Sequence, residues 1–371
     1  MARLGKICRL NMGQSPDSSS YNEIGEGIPF FQGNADFGEV FPTVRVWCNA
    51  PTKIAYPGDI LISVRAPIGA LNIADVKCCI GRGLAALTVD ESICSKQYLW
   101  YAIASKVEDL NSKGTGSTFK AISKSILSET EIPLPPLDEQ RRIAAILDKV
   151  TGLIALRKQQ LALLDELVKA RFVEMFGDIN VNDKGWMTQP LGKLCDIYRG
   201  GSPRPIDQFL GGTIPWIKIG DAISGDEIFV NSTKDFIVEE GVKKSRLIGE
   251  GSLIFANCGV SLGFARIITF QGCIHDGWLA FENISEQLDK IFLLKSLNQI
   301  TEHFRTIAPA GTQPNLNTSI MKEHQQIVPP IVLQQEYAHL VSQISAQKLT
   351  IQRGLNILKV LKDVMMRDYF C

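Results

Sequence analysis

The rhythm of hydrophobic positions changes twice along this chain. Short apolar runs set between Gly, Pro and polar residues come first, such as "GDILISV" from Gly58 and "LAALTV" from Leu84. Runs of that length and spacing read as strands punctuated by turns. After Pro135-Pro136 the rhythm becomes helical. Ile143, Leu147, Val150, Ile154, Leu161, Leu164 and Val168 follow steps of three and four, with Arg157 interrupting. Strand rhythm returns in "GSLIFA" from Gly251 and "ARIITF" from Ala265. Beyond Pro329-Pro330 the stripe repeats as Tyr337, Val341, Ile344, Ile351, Leu355 and Leu358, interrupted by Lys348. Two further stretches, 96–110 and 288–304, have helical spacing.

Proline pairs cannot occupy a helix interior, so they mark where the two striped helices start. Each helix would run about 40 residues, or ~60 Å at 1.5 Å per residue. A helix that long with one heptad-like seam needs a partner, and the chain offers a second such helix.

The two rhythms belong to a duplication. "PPLDEQRRIAAILDKV" from Pro135 and "PPIVLQQEYAHLVSQI" from Pro329 align at an offset of 329 − 135 = 194 residues. At that offset Gln140 meets Gln334, Ala144 meets Ala338 and Phe176 meets Phe370. Upstream segments echo in the same order. "LGKIC" (4–8) matches "LGKLC" (191–195), "IPFFQGNAD" matches "IPWIKIGD", and "CCIGRGLAAL" from Cys78 matches "GCIHDGWLAF" from Gly272. Each copy is therefore a mixed α+β domain followed by a long helix: 1–131 and 132–178, then 179–326 and 327–371. The period is far too long for a solenoid.

Composition narrows the function. The chain has 371 residues, 45% of them hydrophobic and 21% charged, enough for more than one packed core. Lys+Arg and Asp+Glu both number 39. Residues 1–131 hold 13 of each sign, and 179–326 hold 14 basic against 16 acidic. Neither domain is a basic module, so any cationic surface is local. Nine cysteines without CxxC or a Cys/His cluster argue against a disulfide framework or zinc site and fit a reducing cytoplasm. The N-terminal "MARLGKICRLNMGQ" lacks a signal-peptide core, and no run of ~18 apolar residues suggests a membrane span.

Catalytic signatures are missing: GxxxxGK[ST], the Asn/Asp-Pro-Pro-Tyr/Phe methyltransferase motif, GxSxG and HExxH. His275, His303, His324 and His339 show no ligand spacing and read as surface or satisfied histidines. The five tryptophans read as packing residues. "SKGTGSTFK" (112–120) is rich in Gly and hydroxyls and suits a loop near an anion.

Two α+β domains, each leading through a PxPPLxEQ-type segment into a long helix, resemble the specificity subunits of type I restriction–modification systems. "FKAISKSILSETEIPLPPLDEQRRIAAILD" (119–148) and "LGKICRLNMGQSP" (4–16) carry the resemblance, with copies at 316–342 and 191–203. The second copy departs at Leu333, where Glu139 stands in the first, and in "QPN" for "TFK".

The resemblance implies two target-recognition domains on two long antiparallel helices forming a coiled coil, related by a pseudo-twofold internal repeat. Each domain would read one half of a split double-stranded DNA target. The helices would set the spacer and dock methyltransferase subunits, and translocase–nuclease subunits would join the assembly. The chain itself would bind no cofactor and catalyse nothing. S-adenosylmethionine and ATP with Mg would belong to the partner subunits, and no membrane would be involved.

Expected DNA contacts are Arg, Lys, Asn, Gln, Ser and Thr in loops between strands. In the first domain these are Gln14, Ser15, Asn34, Arg65, Arg82, Lys113, Thr115, Ser117, Thr118 and Lys120. In the second they are Arg199, Ser202, Arg204, Lys218, Asn257, Arg266, Thr312, Gln313 and Asn315. The seam and docking positions are Gln140, Ile143, Leu147, Val150, Leu161 and Leu164, with Gln334, Val341, Ile344, Leu355 and Leu358. Gln140 and Gln334 stand where they would either cap a helix or contact a partner. Other readings are the equivalent subunit of a type IIB-like system, a coiled-coil scaffold without a DNA role, and an enzyme with an unrecognised site.

Overall fold

The computed structural model describes residues 1–115, 120–223, 227–308 and 315–371. Its contacts divide the chain into two compact units, Met1–Arg157 with Gly354–Cys371, and Lys158–Arg353. The division cuts through both long helices, Leu137–Phe176 and Ile331–Phe370, each 40 residues long. Each unit is thus one α+β domain with part of each helix.

In the first unit a four-stranded antiparallel sheet runs in the order Cys8–Met12, Leu84–Val89, Ile60–Ser63, Leu71–Ile73. Both faces of this sheet are covered, which explains why its strands read as unbroken apolar runs. Ile60, Ile62, Ala85 and Leu87 face Tyr98, Leu99, Ile103, Ile143 and Leu147. The alternate residues Leu61, Leu84 and Ala86 face Phe31, Ala55, Cys78 and Ile80 of a second sheet. In that sheet Ile28–Phe31 lies parallel to Cys78–Ile80.

The second unit repeats the plan. Asp196–Arg199, Trp278–Glu282, Leu253–Ala256 and Ala265–Ile268 are successive neighbours in one sheet. Leu210–Ile217 lies parallel to Gly272–Ile274 in the other. The stretches at 96–110 and 288–304 each form two helices, Lys96–Ala104 with Val107–Lys113 and Lys290–Gln299 with Thr301–Ile307. A glycine loop presses on the start of each second helix. Gly69 and Gly263 have φ of +93° and +104°, and a Cβ there would lie 2.9 Å from Val107 Cγ2 and 2.6 Å from Thr301 Cγ2.

Each domain closes on itself before its helix begins. Ala2–Arg3 pairs with Glu131–Ile132, and Thr188–Pro190 pairs with Gln325–Ile327. In the first unit the early turns of the first helix (Ile143, Ala144, Leu147) share a core with Phe370 at the end of the second. In the second unit Val168, Phe172 and Phe176 of the first helix meet Tyr337, Val341 and Ile344 of the second. There Tyr337 Oη donates to the Val168 carbonyl at 3.2 Å, and Lys348 bonds Asp165. Numbers fall on one helix as they rise on the other, so the helix segments run antiparallel within this unit. Val150 and Leu355 are buried, while Leu161, Leu164 and Leu358 are half-buried.

Candidate nucleic-acid interface and helix joints

A tight turn follows the short strand Cys78–Ile80 in the first unit and Gly272–Ile274 in the second. It spans Gly81–Leu84 and His275–Trp278, closed by Leu84 N–H to Gly81 O and Trp278 N–H to His275 O, both 3.0 Å. Three backbone bonds around it repeat. Gly81 N donates to Phe31 O and His275 N to Ile217 O. Gly13 N donates to Leu84 O and Gly200 N to Trp278 O. Val64 N donates to Gly83 O and Asn257 N to Gly277 O. Glycine is required at 13 and 200, because a Cβ there would lie 2.1 Å from Gly81 O and 2.2 Å from His275 O. The "GKIC…G" echo thus reflects a close crossing of backbones beneath one turn.

Several expected contact residues of the first unit gather around this turn. Gln14 and Arg82 are exposed, and Ser15 Oγ accepts the Arg82 N–H at 3.3 Å. Gly83 N donates to Gln32 O, two residues before the half-buried Asn34. Arg65 and Thr115 both bridge Ala121, and Lys120 O accepts Ala66 N–H. Lys113 pairs with Asp109 one helical turn away at 2.6 Å. Ser117 and Thr118 lie outside the described residues.

In the second unit Arg199 Nε donates to the Asp276 carbonyl at 3.1 Å, and Arg204 reaches within 4.0 Å of the Asp276 carboxylate. Ser202 Oγ donates to Asp276 Oδ1 at 2.8 Å. Lys218, next to Ile217, pairs with Asp235 at 2.7 Å and lies 5.0 Å above the Trp216 ring. Asn315 bridges Cys258 and accepts from Asn257 Nδ2 at 3.1 Å.

Two expected contacts are corrected. Asn257 is fully buried, its Nδ2 engaged by Asn315 and the Leu316 carbonyl, so it braces the loop and reaches no base. Arg266 is half-buried over Phe264 and lines a cleft with Asp165, Lys295 and Tyr337, among helix residues. Thr312 and Gln313 lie outside the described residues.

The second turn also holds two residues outside the expected contacts, His275 and Asp276. The 194-residue offset was the available signal, because it sets Asp276 opposite Arg82. His275 Nδ1 accepts the Gly277 N–H at 2.9 Å. Burial holds this imidazole below the usual histidine range, although Asp276 opposes the shift. With Nδ1 committed to that N–H, the neutral ring carries its proton on Nε2, and the 3.0 Å approach of Asp276 Oδ1 to Nδ1 is not an ion pair.

At the other end of the same strand stands the joint to the helix. Leu84–Val89 begins at the turn, runs about 20 Å at 3.3 Å per residue, and leads through a turn at Asp90 to Ser95. There Gln140 Oε1 accepts the Ser95 N–H at 2.9 Å, and Nε2 donates to Ile93 O at 3.2 Å and Pro135 O at 2.8 Å. Gln334 repeats this with the Asp289 N–H (2.9 Å), Gln287 O (2.9 Å) and Pro329 O (2.7 Å). Every partner is displaced by 194 residues, and both glutamines are 0% exposed. Of the two roles expected for Gln140 and Gln334, these bonds place them at the helix start. Each ties a helix start to its own domain and has no free group to offer a partner.

The units differ beside these joints. Tyr101 Oη donates to Asp148 Oδ1 at 2.7 Å, fastening domain to helix in the first unit. Lys295 takes that register position in the second, and a cleft of about 660 Å³ opens there, floored by Leu161, Val168, Val341 and Ile344. Lys348, the interruption in the stripe, bonds Asp165 on the facing helix and lies 3.3 Å from Glu227 of the domain. Burial opposes its charge, but the Asp165 and Glu227 contacts outweigh it and raise the Lys348 pKa. Lys348→Met should destabilise the second unit by about 1–2 kcal/mol, because these groups are partly solvated. Urea midpoints in low and high salt check this, and the deficit should shrink as salt rises.

Among the described residues no group of three or more His, Cys, Asp and Glu side chains could hold a metal, and no helix is long and apolar enough to cross a membrane.

The duplicated α+β domain carries the same turn and joint in each copy but different residues at the turn. The family model of the type I restriction modification DNA specificity domain matches residues 1–166 and again 183–360, and the chain belongs to that family. The putative type I restriction enzyme MjaX specificity subunit of Methanocaldococcus jannaschii is 44% identical over 155 residues, 42% of this chain. That match spans 36% of the relative's length. The MjaIX specificity subunit of the same organism is 28% identical over 353 residues, covering 89% of this chain and 80% of the relative. The type I restriction-modification system S subunit from M. genitalium shares the fold, with a TM-score of 0.63 at 17% identity, over 100% of this chain and 95% of that one.

Proposed function

We propose that this chain is the DNA sequence-specificity subunit of a type I restriction–modification enzyme, itself without catalytic activity and working in the cytoplasm. Each α+β domain, 1–131 and 179–326, reads one half of a split duplex target. The helix segments 132–178 and 327–371 set the gap between halves and dock methyltransferase subunits, and translocase–nuclease subunits complete the enzyme. Those partners carry S-adenosylmethionine and ATP with Mg.

One observation carries the reading: the joint repeats bond for bond, and the turn keeps its closing bond and its main backbone ties, while the side chains at the turn tip change. Invariant framing with altered tips is what two readers of different sequence need, since base-edge contacts specify and the frame positions. Docking is supported by apolar side chains left exposed on the helices. Among them are Leu153, Leu156, Ile357 and Val360 in the first unit, and Leu163, Leu167 and Val173 in the second. Patches of this kind mark interaction sites.

The test is co-expression with the cognate methyltransferase subunit and genome-wide mapping of methylated bases. A split motif with a fixed gap is expected. Exchanging residues 1–131 for the matching domain of another subunit should change one half of the motif only. A continuous motif, or one indifferent to the exchange, would overturn the reading.

A further inference from the structure

We propose that Arg82 and Asp276 are the base-reading tips of the two domains, Arg82 taking guanine and Asp276 taking the amino group of cytosine. The inference rests on the proposed function and deepens it by naming the reading position and its chemistry.

Geometry makes the two residues equivalent. Each occupies the second position of the turn, between a short strand and the central strand of its domain. Each backbone N–H faces the same serine, Arg82 N to Ser15 Oγ at 3.3 Å and Asp276 N to Ser202 Oγ at 3.5 Å. In the first unit the joint to the helix lies at the other end of that strand, so the turn is far from the support. Two copies with one backbone and opposite charge at one tip differ in what the tip can bind.

The chemistry follows from base edges. A guanidinium presents paired donors that match guanine O6 and N7, whereas a carboxylate accepts from the cytosine N4 amino group. Arg82 is exposed, and its guanidinium makes no hydrogen bond or ion pair with the described residues. It is free to enter a groove. A carboxylate is repelled by phosphates unless cations stand beside it. Asp276 has them: Arg204 at 4.0 Å from its carboxylate and Arg199 bonded to its carbonyl. Ser202 fixes Oδ1, leaving Oδ2 as an acceptor. In the neutral tautomer His275 adds an Nε2–H donor next to it. The first tip needs no such escort, and its flanking residues are Gly81 and Gly83.

The experiment uses the full chain co-expressed with its methyltransferase subunit, with methylated sites mapped for Asp276→Asn, Asp276→Glu, Arg82→Ala and Arg204→Ala. Asparagine pairs with adenine, so Asp276→Asn should lose cytosine at one position of one half-site, by about 10- to 100-fold in preference, and gain adenine there. Asp276→Glu keeps the acceptor and should keep cytosine. Arg82→Ala should relax one guanine in the other half-site. Arg204→Ala should lower methylation at all sites without changing the motif. The proposal is overturned if Asp276→Asn leaves the motif intact, or weakens all sites equally as Arg204→Ala does, since Asp276 would then only position its cations. It is also overturned if neither half-site holds a G·C pair that these variants relax. Failure of the wild type to give a split motif would instead sink the proposed function.

Discussion

Gln140→Leu should lower the stability of the first unit by about 3 kcal/mol, and Gln334→Leu should do the same to the second. Leucine matches the volume but makes none of the three hydrogen bonds. In the first unit the Ser95 N–H and the carbonyls of Ile93 and Pro135 lose their partner together. A buried group left unpaired costs about 1–3 kcal/mol, and water reaching the half-buried Ser95 and the exposed Ile93 keeps the sum near the lower figures. Gln140→Glu is the sharper probe. It keeps the shape and the bond from Ser95 but turns a donor into an acceptor facing two carbonyls. Burial and those carbonyls push the new carboxyl's pKa up in the folded state. Its folded form therefore binds more protons than the unfolded chain near neutrality, and stability should recover as the pH falls toward 5. Denaturant midpoints across pH, with hydrogen exchange to assign the unit affected, check both variants. Equal stability of wild type and Gln140→Leu would show that the joint is not what holds domain to helix.

The joint also shows where sequence reasoning reached its limit. The repeat, the proline breaks and the alternation of strand and helix rhythm were legible because they are local or periodic. Both 40-residue helices start where Pro136 and Pro330 predict. Gln140 was visible as a recurring residue, but its role depends on Ile93 and Ser95, more than 40 residues upstream and brought close only by the fold. Lys348 looked like a defect in an apolar stripe because neither Asp165 nor Glu227 is near it in sequence. Asn257 looked like a reader because it is a polar residue directly after an apolar strand. The loop folds back over it instead, and Leu316 N–H bonds to its carbonyl. Asp276 falls outside the expected contact types, Arg, Lys, Asn, Gln, Ser and Thr, and only the cations beside it in space bring it into view. Backbone frame is thus readable from pattern, whereas side-chain roles set by distant partners are not.

The second unit should lose about 3 kcal/mol of stability on acidification from pH 6.5 to 4, while the first shows no histidine-dependent loss. All four histidines lie at 275 or beyond, within the second unit's span of Lys158–Arg353. His324 follows the helix Thr318–Glu323, its ring 5.0 Å from that of Phe304 and 6.5 Å from that of His303. Burial pushes its imidazole pKa down to about 4, and His303 adds to the effect. The direction of the pH effect follows from proton counting. Below the ordinary histidine pKa of 6.5 the unfolded chain takes up a proton that the folded one refuses, so stability is fully present above 6.5 and drains away as pH falls toward 4. Each pKa unit corresponds to ~1.4 kcal/mol, which sets the size of the loss. His275, also depressed by burial, acts in the same sense. Proton uptake at His324 would strike beside a tie between the domain's last helix and its first, where the His324 carbonyl accepts the Leu191 N–H at 2.9 Å. His324→Gln removes the titration while keeping a polar side chain. Its stability should change less between pH 6.5 and 4 than that of the wild type, by most of the 3 kcal/mol. Urea unfolding followed at Trp216 and Trp278, both buried in the second unit, reads that difference. Parallel pH profiles for wild type and variant would place the acid-sensitive group elsewhere.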